Sequence, residues 1–107
     1  MHGGTLIRIV ALSLMSGAVA AQTISGSGAK HCADYMQAVE LNSAVARNGF
    51  ISWAQGYISG FNATNVKRSD VAIDPAGLQY WLSNFCSANP EVSYYEAVLQ
   101  LISQNAK

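Results

Sequence analysis

At 107 residues, with six basic against six acidic side chains and 11% charged residues, the chain has room for one domain and no more. Its charges do not cluster beyond Lys67-Arg68, with Asp70 two residues on, a pattern of a solvated loop that excludes a nucleic-acid footprint. A domain this small buries a modest core and often needs a covalent staple.

The N-terminus reads as an export signal. Arg8 is the only charged residue before Lys30, and an apolar run follows it over 9–15. Ala18-Val19-Ala20 satisfies the small-x-small rule, which puts the cut after Ala20 or Ala21. The run is too short to cross the ~30 Å of bilayer hydrocarbon. The expectation is a signal peptide over 1–21, a periplasmic or secreted product, and no membrane association after cleavage. Export carries Cys32 and Cys86 into an oxidising compartment, where two thiols in one small chain are expected to pair. Closing a loop of that length stabilises by roughly 4 kcal/mol in chain-entropy terms. Two cysteines without clustered His or carboxylates make a poor metal site, and no cofactor is expected.

Residues 22–31, which open on a Ser/Gly-rich stretch, read as a flexible leader, and 32–107 as the helical domain. From Cys32 the pattern turns helical, with Tyr35, Ala38, Val39 and Val45 near helical spacing, until Arg47-Asn48-Gly49 signals a turn. Phe50, Trp53, Ala54, Tyr57, Ile58 and Phe61 then form a full apolar stripe at i, i+3, i+4, i+7, i+8 and i+11. Gly56 and Gly60 interrupt that helix, each at a cost of about 1 kcal/mol against Ala. Their GxxxG-like spacing predicts a close approach of another backbone or a bulky side chain inside the domain, alongside Trp53 and Tyr57. A polar connection over 62–73 leads to Asp74 as N-cap and Pro75 as the first helical residue. Leu78, Trp81, Leu82 and Phe85 carry the third stripe. Asn89-Pro90 repeats the cap-plus-proline device, with Glu91 in the first turn, before Val92, Tyr95, Val98, Leu99 and Ile102. No alternating strand pattern occurs. The predicted fold is all-α: four helices with one disulfide from the start of the first to the end of the third.

Catalytic constellations are not in view. The one histidine after the signal, His31, adjoins Cys32, and neighbouring residues seldom meet productively. Asp34, Glu40, Asp70, Asp74, Glu91 and Glu96 include no close pair. Asn62-Ala63-Thr64 matches a glycosylation sequon, read here as chance. Aromatic residues are many for the length. Tyr80 lies off the stripe of its helix and Tyr94 beside Tyr95 on a neighbouring face, so both are candidate interface anchors; the alternative is that they cover helix junctions.

The stretch Trp53-Ala54-Gln55-Gly56-Tyr57-Ile58-Ser59-Gly60-Phe61 resembles the Gly-Tyr-x-x-Gly helix of small periplasmic immunity proteins of the Rap/Tai type. Trp81-Leu82, Asn89-Pro90 and Ala97-Val98-Leu99 resemble that family's C-terminal half. The resemblance implies a protein that protects a cell by binding a type VI secretion effector. A second resemblance, to HdeA-type acid-stress chaperones, rests on small size, helices, export and one disulfide; those proteins are rich in the carboxylates whose protonation opens them. The leading expectation is therefore a non-enzymatic periplasmic protein-binding domain of immunity type, whose partner is another protein or a second copy of itself. The alternative is an acid-stress chaperone, and a small hydrolase or other enzyme comes third.

Overall fold

The computed structural model describes residues 23–65, 67 and 70–106; the expected signal peptide over 1–21 lies outside them. Four α-helices make up the described chain: α1 Cys32–Glu40, α2 Ala44–Thr64, α3 Pro75–Ala88 and α4 Tyr94–Asn105. A single 3-10 turn, Gly26–Ala29, precedes them. Among the described residues none forms a β-strand ladder, and no helix is long and apolar enough to cross a membrane.

Local chemistry starts each helix. Asp34 in the first turn of α1 accepts the His31 backbone N–H at 2.9 Å. Ser43, Asp74 and Ser93 cap α2, α3 and α4 by accepting from Ala46 N, Gly77 N and Glu96 N, each satisfying a donor the helix cannot use itself. Pro75 holds the first position of α3, as the sequence predicts.

The apolar stripes meet in one core. Tyr35 of α1, Phe50, Ile51, Ala54 and Ile58 of α2, Leu78 and Leu82 of α3, and Tyr94, Ala97, Val98, Leu101 and Ile102 of α4 are all buried. No polar or charged residue is buried among those described. The disulfide joins Cys32 at the start of α1 to Cys86 near the end of α3, with Cα atoms 4.9 Å apart and both residues fully buried. It closes a loop of 54 residues.

Several expectations fail for physical reasons. The helix does not break at Asn48-Gly49. It breaks at Leu41–Ser43, where Asn42 takes a φ of +53°, a conformation Asn tolerates through its short polar side chain. Ser43 then restarts the chain as a cap, and α2 runs through Gly49 because Phe50 and Ile51 beside it are anchored in the core. Val45 consequently belongs to α2 and stands exposed. The last helix does not start at Asn89-Pro90. Asn89 closes α3 instead, its side-chain amide donating to Phe85 O at 2.9 Å. The Pro90 and Val92 carbonyls accept from Ala33 N and Cys32 N at 2.9 and 2.8 Å. That pairing satisfies the unpartnered N–H groups at the start of α1 and delays α4 until Tyr94.

The leader expected to be mobile is partly built into the fold. Gly26 takes φ +71°, and Gly28 is buried flat against the Trp53 indole, so closely that a Cβ there would run into the ring. The Trp53 Nε1–H donates to Ser25 O at 2.9 Å, and Tyr94 N donates to Lys30 O at 2.7 Å. The Ser25–Lys30 segment is thus a strap across α2 and α4. Its glycines are there for left-handed φ and close approach.

Candidate functional site

The placement of α3 decides what the domain shows to solvent. Leu78, Leu82 and Cys86 are fully buried and define its inward line. At about 100° per residue, Phe85 lies roughly 60°, Trp81 roughly 100° and Tyr80 roughly 160° from the middle of that line. Trp81 and Phe85 are accordingly only half-buried, and Tyr80 is 74% exposed. The Trp81 and Phe85 rings stack with centroids 5.4 Å apart and planes 12° apart. With Asn84, Ala88 and Asn89 they line a groove of about 360 Å³, completed by Gln104 of α4.

No charged residue lines this groove. Asn89 is committed to Phe85 O. The polar groups of Tyr80, Trp81, Asn84 and Gln104 make no side-chain hydrogen bond among the described residues, and none of them is a buried orphan; that condition is met only by Asn65 Nδ2. The face is therefore a flat aromatic pair, a projecting tyrosine and open amides, all uncharged.

Tyr80 stands where the sequence reading put it. Tyr94 does not: it is fully buried, its hydroxyl donating to Phe50 O at 2.7 Å. Its ring lies 5.6 Å from Tyr35, 4.9 Å from Phe50 and 6.0 Å from Trp53 between centroids. Tyr94 faces inward on the line of Ala97, Val98, Leu101 and Ile102, and Tyr95, one residue on, lies at the edge against Trp53 and Tyr57. Burial pushes the Tyr94 phenol well above its ordinary range, with Tyr35 adding to the shift. Tyr35 is raised for the same reason, partly offset by its hydrogen bond to Ser83 and by Arg47.

Gly56 and Gly60 are also corrected. Both are exposed, and a Cβ built on either would meet nothing within 4 Å. They border an open groove of about 400 Å³ with Tyr57, Phe61 and Thr64, so among the described residues no backbone or bulky side chain packs on them. Trp53 and Tyr57, by contrast, stack with centroids 5.5 Å apart and planes 18° apart. The sequon at Asn62 falls inside α2, where the Asn62 amide exchanges two 2.9 Å hydrogen bonds with the Val71 backbone. An amide so committed holds the loop closed.

A wider groove of about 550 Å³ runs between α1 and the end of α3, over the disulfide, with Asp34, Met36, Gln37, Glu40 and Ser87 on its walls. Asp34 is already used as the partner of the His31 N–H. Cys32 and Cys86 are joined, leaving no free thiol, and His31 is exposed. Among the described residues no three His, Cys, Asp or Glu converge as metal ligands. The groove of Trp81, Phe85, Asn84 and Gln104 is hidden in the sequence, because the apolar spacing places Trp81 and Phe85 in the core stripe with Leu78 and Leu82. Measuring their angles from Leu78 and Leu82 would have placed them at its margin. No protein-family model, curated protein or solved structure matches this chain.

Proposed function

We propose that this is a non-enzymatic protein-binding domain that meets its partner through the outward face of α3. The observation that carries the reading is Tyr80, 74% exposed beside the half-buried Trp81 and Phe85. Exposed aromatic rings clustered around a groove are characteristic binding anchors, and uncharged surroundings spare the partner a desolvation cost. The partner implied by the resemblance to immunity proteins is a type VI secretion effector met in the periplasm.

The test is a photo-crosslinking amino acid placed at Tyr80, with Gly60 as the comparison position, in cells that export the protein. The expected result is one discrete adduct from position 80 and none from position 60. Equal labelling from both positions, or none from either, would sink the reading. A second arm uses acid. All the described carboxylates lie outside the core, so protonating them removes little that holds the fold. The oxidised domain should keep its near-UV circular dichroism down to about pH 3. Cooperative loss of structure between about pH 4 and 2, with suppression of client aggregation, would favour an acid-stress chaperone instead.

A further inference from the structure

We infer that the Ser25–Ala29 strap is a lid that pivots at Lys30, and that the seat beneath it on Trp53 takes the same strap from a second copy of the chain. The inference concerns α2 and α4 and is independent of the α3 face. The occupant of this seat is in view. Gly28 lies flat on the Trp53 indole, and the indole N–H donates to Ser25 O at 2.9 Å. A Cβ at position 28 would run into the ring, so the seat admits a residue without a side chain, preceded by a free carbonyl acceptor. A second copy supplies that segment with identical chemistry.

Little holds the lid. Ser25, Gly26 and Ala29 are exposed, and of the strap only Gly28 is buried. Among the described residues the Trp53 indole bond is the one hydrogen bond tying Ser25–Ala29 to the helices. Ordering Gly26 and Gly28 costs more chain entropy than ordering any other residue type. The disulfide ring begins at Cys32 and leaves the strap outside it. Segments with few buried contacts open at the lowest free energy. Tyr94 N to Lys30 O, at 2.7 Å, fixes the pivot. The seat, by contrast, does not depend on the lid. Trp53 is stacked on Tyr57 and meets Tyr94 and Tyr95 edge to face, so its ring keeps its place when the strap lifts. Five extended residues reach about 17 Å. Reciprocal exchange fills both seats and closes on two copies.

The experiment uses the ¹⁵N-labelled, disulfide-intact protein carrying Gly28→Val, whose own strap no longer fits, and follows the Trp53 indole N–H, assigned with Trp81→Phe. That resonance should leave its wild-type position while near-UV circular dichroism shows the core intact. A capped peptide of residues 23–30 should return it saturably, and the same peptide with Gly28→Val should not. Unlabelled wild-type protein at millimolar concentration should act as the peptide does, with a dimer visible in sedimentation. No return with either, or a return with the peptide alone, would overturn the inference. A dimer lost in Tyr80→Ala would belong to the α3 face and overturn it too. If Gly28→Val does not fold, the wild type decides. Its Trp53 indole N–H should exchange at least tenfold faster than the Leu101 amide, and it should dimerise at millimolar concentration. Equal exchange rates, or a monomer throughout, would sink the proposal.

Discussion

In the Tyr35–Phe50–Tyr94 cluster the rings meet edge to face or tilted, and both tyrosine hydroxyls are spent within the domain, Tyr94 on Phe50 O and Tyr35 on Ser83 and Gln79 O. On the outward face of α3, Tyr80, Trp81 and Phe85 form a second aromatic set, and the Tyr80 hydroxyl and Trp81 indole N–H make no side-chain hydrogen bond among the described residues. Both sets are aromatic, and the main difference is in what surrounds them. The cluster is closed in by all four helices, whereas on α3 only Leu78, Leu82 and Cys86 are fully buried and Tyr80 points away from every other helix's core face. A buried tyrosine needs an acceptor for its hydroxyl, and an exposed one leaves its hydroxyl to water or a partner.

The sharpest way to break this comparison is to truncate one tyrosine from each set. Tyr94→Ala should cost roughly 3–5 kcal/mol, as large-to-small changes in a packed core do. Tyr80→Ala should change stability by no more than about 0.5 kcal/mol. Urea unfolding measures both, and equal losses would mean that Tyr80 is structural. Gly28→Ala comes next. The added methyl must displace the Trp53 ring or lift the strap, and a loss of roughly 1–3 kcal/mol is expected, with red-shifted tryptophan emission.

Tyr94→Phe probes the hydroxyl alone. Leaving Phe50 O without that donor should cost about 0.5–1.5 kcal/mol at neutral pH. The sign of the alkaline effect follows from linkage. The folded phenol of Tyr94 is raised above its unfolded value of about 10, so its contribution is complete below that pH. Above it the contribution is lost progressively, as pH rises toward the folded pKa. Wild-type stability should therefore fall above about pH 10, and Tyr94→Phe should flatten that fall. Parallel slopes for the two proteins would remove Tyr94 as the cause. The smallest effect belongs to Gly60→Ala. With open space at its Cβ position, it should gain up to about 1 kcal/mol of helix propensity, visible as a higher melting temperature. A loss there would restore the close-packing role that the sequence suggests.

What the sequence made legible was local chemistry. Asp74-Pro75 announced α3, the stripe from Phe50 to Phe61 announced α2, and the two cysteines announced their bond. The failures occur where distant segments decide. Asn89-Pro90 resembles a helix start, but nothing local says that the Pro90 and Val92 carbonyls are needed by the first turn of α1. The misplacement of Tyr94 has a different cause: the pattern through Val92, Tyr95, Leu99 and Ile102 is one residue off the buried line Tyr94, Ala97, Val98, Leu101 and Ile102, which also has helical spacing. Gly26 and Gly28 look like linker residues, and only the position of Trp53 makes them a docking surface. At the α3 groove the apolar spacing does not separate the margin of the stripe, Trp81 and Phe85, from its centre, Leu78 and Leu82.

The disulfide draws a covalent ring around 32–86, and two pieces of the domain fall outside it: the strap and α4. These pieces are tied to each other and to the ring's edge by Tyr94 N to Lys30 O, Cys32 N to Val92 O and Ala33 N to Pro90 O. Neither can leave without breaking bonds the other needs, so they form one cooperative opening unit that the disulfide does not restrain. In native-state hydrogen exchange the amide protons of Cys32, Ala33 and Tyr94 should therefore exchange together at one free energy. Reduction should change the protection of the α2 core amides far more than the spacing among those three. The covalent ring thus holds one side of the core, while α4, which supplies Tyr94, Ala97, Val98, Leu101 and Ile102 to that core, is held by packing and backbone hydrogen bonds alone.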